Sequence, residues 1–177
     1  MTETSLFTPV HFQERHSRII SASPRACLDA VEAFKSENDP FIRFCLGVRD
    51  LPGRLIRGPS AHRFNMESFT PLGRNGDSNV SFGLAGSFWR WDYGLNRDEA
   101  QGSRFWAAQG MSARLLLSFE TTRLAENLTC LETRTQISCP DVTTRRKMAV
   151  YWSVIRPVSG LIRRRMLVAV AEMTEKY

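Results

Sequence analysis

Apolar positions fall into two rhythms that alternate along the chain. HFQERHSRIISAS, residues 11–23, mixes polar and β-branched residues and reads as a strand. In SPRACLDAVEAF, Cys27, Leu28, Val31 and Phe34 recur at helical spacing. Ser23 precedes them as an N-cap and Pro24 takes the first helical position. NDPFIRFCLGVRDLPG repeats the device, with Asp39 as cap, Pro40 opening the turn, and Phe41, Phe44, Cys45 and Val48 as the apolar face. Two short helices are therefore expected after the first strand.

From Ala61 the period shortens to two. His62, Phe64, Met66 and Ser68 alternate with Arg63, Asn65 and Glu67, and GRNGD then carries turn chemistry. Val80, Phe82 and Leu84 share one face of the next strand. SFWRWDYG continues as strand or irregular aromatic segment, NRDEAQG is a polar loop, and SRFWAAQG suits one short helical turn. Two longer strands follow. Ala113, Leu115, Leu117 and Phe119 form one face of the first, and Leu131, Thr133, Thr135 and Ile137 one face of the second. RLAEN between them suits a hairpin, and Glu132 with Arg134 is expected to form a solvated outer face.

Asp141, after Pro140, caps a long last helix. One arc of its wheel collects Met148, Tyr151, Ile155, Val158, Ile162, Met166, Ala169 and Met173. Val150, Val154, Leu161 and Val168 form a second apolar shoulder, so the helix is expected to be mostly buried. Arg145, Arg146, Ser153, Arg156, Gly160, Arg163 and Arg164 fill the polar arc, with Trp152 at its edge. Pro157 removes a donor for the carbonyl of Ser153, and Ser159-Gly160 adds local freedom, so a kink is expected there. Over a curved sheet a kink would let the helix arch away and leave a cavity.

Composition narrows the class. The chain has 177 residues, 42% of them hydrophobic, which suits one folded domain (10–177) behind a loose leader (1–9). No apolar run is long enough for a membrane span, and the start lacks the pattern of a secretory signal. Cys27, Cys45, Cys130 and Cys139 form no C-x-x-C pair. They read as small buried residues of a cytoplasmic protein, with neither metal nor cofactor implied. The net charge is +6, and from Asp141 onward eight basic residues face three acidic ones, so the surplus sits on the last helix. Such a stripe reads first as a solvated face. Contact with nucleic acid is not expected, since the aromatics fall largely on the buried side. Anionic headgroup contact ranks equally low.

The first strand with SASPRACLDAVEAF, the pair ending in LETRTQI, and the helix RRKMAVYWSVIRPVSGLIRRRML together resemble the START-like superfamily (SRPBCC, the helix-grip fold shared with polyketide cyclases). YW, IRP.SG and IRR in the last segment are similar to an uncharacterised bacterial branch of it. The resemblance implies an α+β fold with a curved antiparallel sheet of about seven strands wrapped around the long terminal helix. It also implies an apolar tunnel between the two. Members bind lipids, quinones, hormones or polyketides, and some catalyse cyclisation or dehydration. No catalytic residue set carries over.

The first function expected is therefore binding of a small hydrophobic or amphipathic ligand between sheet and helix. Inward candidates are Phe64, Met66, Phe82, Phe88, Leu117, Phe119, Trp152 and Ile155; for each, plain core packing is the competing reading. Met66 and Met111 suit an adaptable pocket. A cyclase- or dehydratase-like enzyme in the same pocket is the alternative. His16 and His62 are its histidine bases, while Glu67, Asp92 and Glu120 are its acids, and Arg114 is a candidate ion-pair partner for Glu120. Neither G-x-S-x-G nor H-E-x-x-H occurs. A third reading docks an acidic partner on Arg156, Arg163 and Arg164, and a homodimer is compatible with all three.

Overall fold

The alternating segments form one antiparallel sheet. The computed structural model describes residues 7–34, 40, 68–90, 92–107, 110 and 112–175. Its elements are β1 (Phe12–Ile20), α1 (Pro24–Ala33), β2 (Thr70–Asn75), β3 (Asn79–Gly86), α2 (Gly102–Trp106), β4 (Ala113–Ala125), β5 (Leu128–Ser138) and α3 (Val142–Thr174). The strand order is β1-β5-β4-β3-β2, with α3 packed along β1. Among the described residues the sheet has five strands, not about seven. The alternation at 62–67 and all but Pro40 of the second short helix lie outside the described residues.

Local chemistry explains the element ends. Ser23 Oγ accepts from Ala26 N at 3.3 Å and Pro24 opens α1, whose Cys27, Leu28 and Val31 are buried as their spacing predicts. Asp141 accepts from both the backbone N and the hydroxyl of Thr144, each at 2.8 Å, and so caps α3. The β4–β5 turn is tighter than RLAEN suggests, because β4 runs on to Ala125 and leaves two linking residues. At GRNGD the sheet takes more than predicted. A bulge at Pro71/Gly73 lets β2 continue to Asn75, and the turn is left to Gly76, whose φ of 52° lies in the left-handed region. Arg74 ties this hairpin to α1, donating to Asp29 and Glu32 at 2.6 Å each.

α3 is assigned as helix without a break through Pro157. The carbonyl of Ser153 that proline leaves unpaired belongs to an exposed residue, and Pro157 is exposed too, so water can serve it. Its seated face keeps most of the expected arc, with Met148 and Met166 buried and Tyr151, Ile155, Ile162, Ala169 and Met173 packed against the core, but it extends toward Gly160 and Trp152. Met148, Trp152, Gly160, Met166, Leu167, Val170 and Ala171 are buried, while Val158 and the shoulder residues Val150, Val154 and Leu161 face solvent. Trp152, placed at the polar edge by the wheel, packs against Phe12 with ring centroids 6.4 Å apart. The wheel weighs hydrophobicity, but the seat of this helix is decided by close approach, and glycine allows that where valine does not.

The sheet is covered on both faces. The main core joins α1, α3 and the inner face, including Leu28, Val31, Leu117, Phe119, Leu131 and Ile137. Each such side chain contributes about 1.5–3 kcal/mol by leaving water. On the outer face Phe7, Phe105 and Leu116 form a second small cluster with Leu72 and Trp106. Phe7 stacks on Phe105 at 5.6 Å, so the chain before β1 is anchored there. Arg114 lies in this cluster, 4% exposed, donating to the carbonyls of Phe105 at 2.6 Å and Ala107 at 2.7 Å. It does not pair with Glu120, whose neighbour is Arg134 at 3.5 Å. Glu132 meets Arg134 at 2.7 Å and Arg15 at 3.4 Å, a partly solvated cluster on the remaining outer surface.

Candidate functional site

Antiparallel register places residues that pair directly on one face. One inner-face row therefore runs His16, Thr133, Phe119, Val80 across β1, β5, β4 and β3. The next runs Glu14, Thr135, Leu117, Phe82. Both rows are polar at the β1–β5 end, beneath α3, and apolar at the β4–β3 end.

At the polar end the imidazole Nε2 of His16 lies 3.1 Å from Glu14 Oε1. The side chains are 14% and 10% exposed. Arg164 Nε approaches His16 Nδ1 at 3.5 Å from α3. Arginine only donates, so Nδ1 is the acceptor and Nε2–H donates to Glu14. Gly160 makes this seat possible, since a Cβ there would lie 2.7 Å from Glu14 Oε1 and 3.3 Å from His16 Nε2. The role of Gly160 is thus close approach of helix to strand. Glu14 Oε2 and Thr133 Oγ1 are buried and have no hydrogen-bond partner among the described residues. A buried carboxylate oxygen left unmet is costly, and here it stands beside an oriented imidazole and a hydroxyl. Glu14 Oε2 can accept from, and the Thr133 hydroxyl can donate to, a polar group of a bound molecule, while His16 holds the other Glu14 oxygen.

The apolar end holds the residues predicted from alternation. Leu117 and Phe119 are fully buried, and Phe82, half-buried, meets Phe119 edge-on at 6.3 Å. Phe88 is buried in the same core, Trp152 closes it at Phe12, and Ile155 is half-buried against it. Phe64, Met66, Met111, His62 and Glu67 lie outside the described residues. The sequence points to His16 as a base but not to Glu14 as its partner. Their i, i+2 spacing in β1 was the available signal, because strand neighbours two apart share a face.

The other named acids have different surroundings. Asp92 is held by Arg90 through two 2.9 Å contacts. Burial pushes its pKa up, but the Arg90 bonds prevail and hold it below the usual value. A cavity of about 210 Å³ lies elsewhere, at the start of α3, bordered by His11, Arg114, Cys139, Asp141 and Arg145. It is remote from the His16 row. His11 Nδ1 accepts there from Cys139 N at 3.1 Å, and burial, aided by Arg145, keeps the imidazole below its ordinary pKa. Burial pushes the Cys139 thiol up to about 11, so it is no nucleophile. Among the described residues no group of three His, Cys, Asp or Glu could hold a metal, and no helix is long and apolar enough to cross a membrane.

No protein-family model matches the chain, and no curated protein matches it. Solved structures that resemble it include the Mll3558 protein of Rhizobium loti, 14% identical over 93% of this chain and 97% of that one, with a TM-score of 0.34. TTHA0849 from Thermus thermophilus is 10% identical over 93% and 98%, with a TM-score of 0.32. The Zhui aromatase/cyclase from a Streptomyces species is 10% identical over 93% and 94%, with a TM-score of 0.34. Likeness at these values carries neither ligand nor activity to this chain.

Proposed function

We propose that the protein binds a small hydrophobic or amphipathic molecule, of lipid, quinone or polyketide-like character, between the inner face of the sheet and α3. Its polar end meets Glu14, His16 and Thr133, and its apolar body lies toward Phe82, Leu117 and Phe119. One observation carries the reading: Glu14 Oε2 and Thr133 Oγ1 are buried without partners at the polar end of an otherwise apolar face. Apolar surroundings with a few convergent polar groups are the usual form of such sites. The Glu14–His16 contact also favours a second reading, cyclisation or dehydration in the same place. There Glu14 would orient the imidazole as a general acid or base.

Native mass spectrometry of protein purified from cells, followed by extraction, tests the proposal. A co-purifying apolar molecule bearing a hydroxyl, carbonyl or carboxyl group is expected. Glu14→Gln should lower its occupancy at least about tenfold, the scale of one lost charge-assisted hydrogen bond. Protein that emerges empty, and binds neither a fatty acid, a quinone nor a polycyclic phenol in titration, overturns it.

A further inference from the structure

α3 presents to solvent a face that its packing does not use. Val150, Val154, Val158 and Leu161 are 70%, 71%, 37% and 49% exposed. At 100° per residue they fall within an arc of about 80°. With a rise of 1.5 Å they make a stripe about 16 Å long. Arg146 and Lys147 stand just before this stripe, Arg164 and Arg165 just after it, and all four are exposed. The second pair follows the first by five helical turns, so the pairs stand at matching angles, Lys147 and Arg165 within the stripe's arc and Arg146 and Arg164 about 40° beyond its edge. From Val142 to Ala171 no acidic residue occurs.

We propose that this face lays α3 flat on an anionic lipid bilayer. The aliphatic stripe enters the boundary between headgroups and acyl chains, and the two cation pairs meet anionic headgroups at either end. Charge complementarity selects the occupant. A second copy docked antiparallel by the same face would set Arg146-Lys147 against Arg164-Arg165, which repel. Single-stranded nucleic acid would neutralise the arginines but leave the aliphatic stripe wet, for stacking needs aromatic rings. A bilayer satisfies both components. Arg164 also reaches His16 Nδ1 at 3.5 Å, but the aliphatic stripe and the Arg146-Lys147 pair stand whether or not the inner face holds a ligand.

Flotation of the full chain with vesicles tests it. The protein should rise with phosphatidylcholine vesicles containing about 30% phosphatidylserine, lose binding as salt increases, and ignore pure phosphatidylcholine. Arg146→Gln with Lys147→Gln should weaken partitioning about 25-fold, from about fivefold per cation. Val154→Ser with Leu161→Ser should weaken it about tenfold with an unchanged melting temperature, since both sites are already in water. Absence of flotation at low salt overturns the proposal. So does a serine double variant that binds as well as the parent, which would mean contact with polyanions in general. A concentration-dependent dimer dissolved by the serine variant, without vesicle binding, overturns it in favour of self-association.

Discussion

Arg114 and Glu14 are buried ionisable side chains on opposite faces of one sheet, held in opposite ways. Arg114 gives its donors to the carbonyls of Phe105 and Ala107, reaches Ser138 Oγ at 3.4 Å, and lies over the Phe7 ring at 5.4 Å. Burial lowers its pKa, yet its hydrogen bonds close the α2 turn onto β4. Glu14 meets His16 with one oxygen and leaves the other unpaired. The outer face also strands Asn79 Oδ1, Ser118 Oγ and Gln136 Oε1. Those are neutral groups, and their desolvation costs less than that of a carboxylate. A polar group spent on backbone holds a fold together. The unpaired oxygen of Glu14 is what the proposed ligand would meet.

Substitution of each side chain separates the two roles. Arg114→Met strands two carbonyls and should cost about 2–4 kcal/mol in urea denaturation. Glu14→Gln should change stability by less than about 1 kcal/mol, because it discards a desolvated charge along with one hydrogen bond. Equal losses for the two would erase the contrast between Arg114 and Glu14.

Gly160→Ala is expected to fall between them. Crowding against Glu14 costs about 1–3 kcal/mol, and the gain in helix propensity returns about 1. Loss of the His16–Glu14 contact should appear as altered His16 imidazole nitrogen shifts in NMR, even where the melting temperature barely moves.

His11 gives the smallest effect and a defined pH window. Its folded pKa lies below 6.5, chiefly through burial. As pH falls through the unfolded value the unfolded chain binds the proton first, so stability declines there and levels off below the folded pKa. His11→Asn keeps an acceptor for the Cys139 N–H and should flatten that slope in denaturation series between about pH 7 and 5.

Much of the fold was readable because its signals are local. Ser23-Pro24 and Asp141 mark their helices within four residues, and alternation in β4 and β5 names Leu117 and Phe119 without knowledge of the partner strand. The site was only half readable. Glu14 and His16 gain meaning from Thr133 across the sheet and from Gly160 far along the chain, contacts no window of sequence contains. The wheel of α3 erred for the same reason at its shoulder, not along its main arc. Valine and leucine at 150, 154 and 161 mark apolarity, but which side is seated depends on where β1 can come near.

Phe7 has a practical corollary for handling the protein. Its ring is sandwiched in the outer cluster only five residues ahead of β1. A nick between Phe7 and Phe12 would pull a plug from beneath α2, baring Phe105 and Leu116 to water and inviting aggregation. Trimming or fusing at the amino terminus therefore has a natural limit at Phe7.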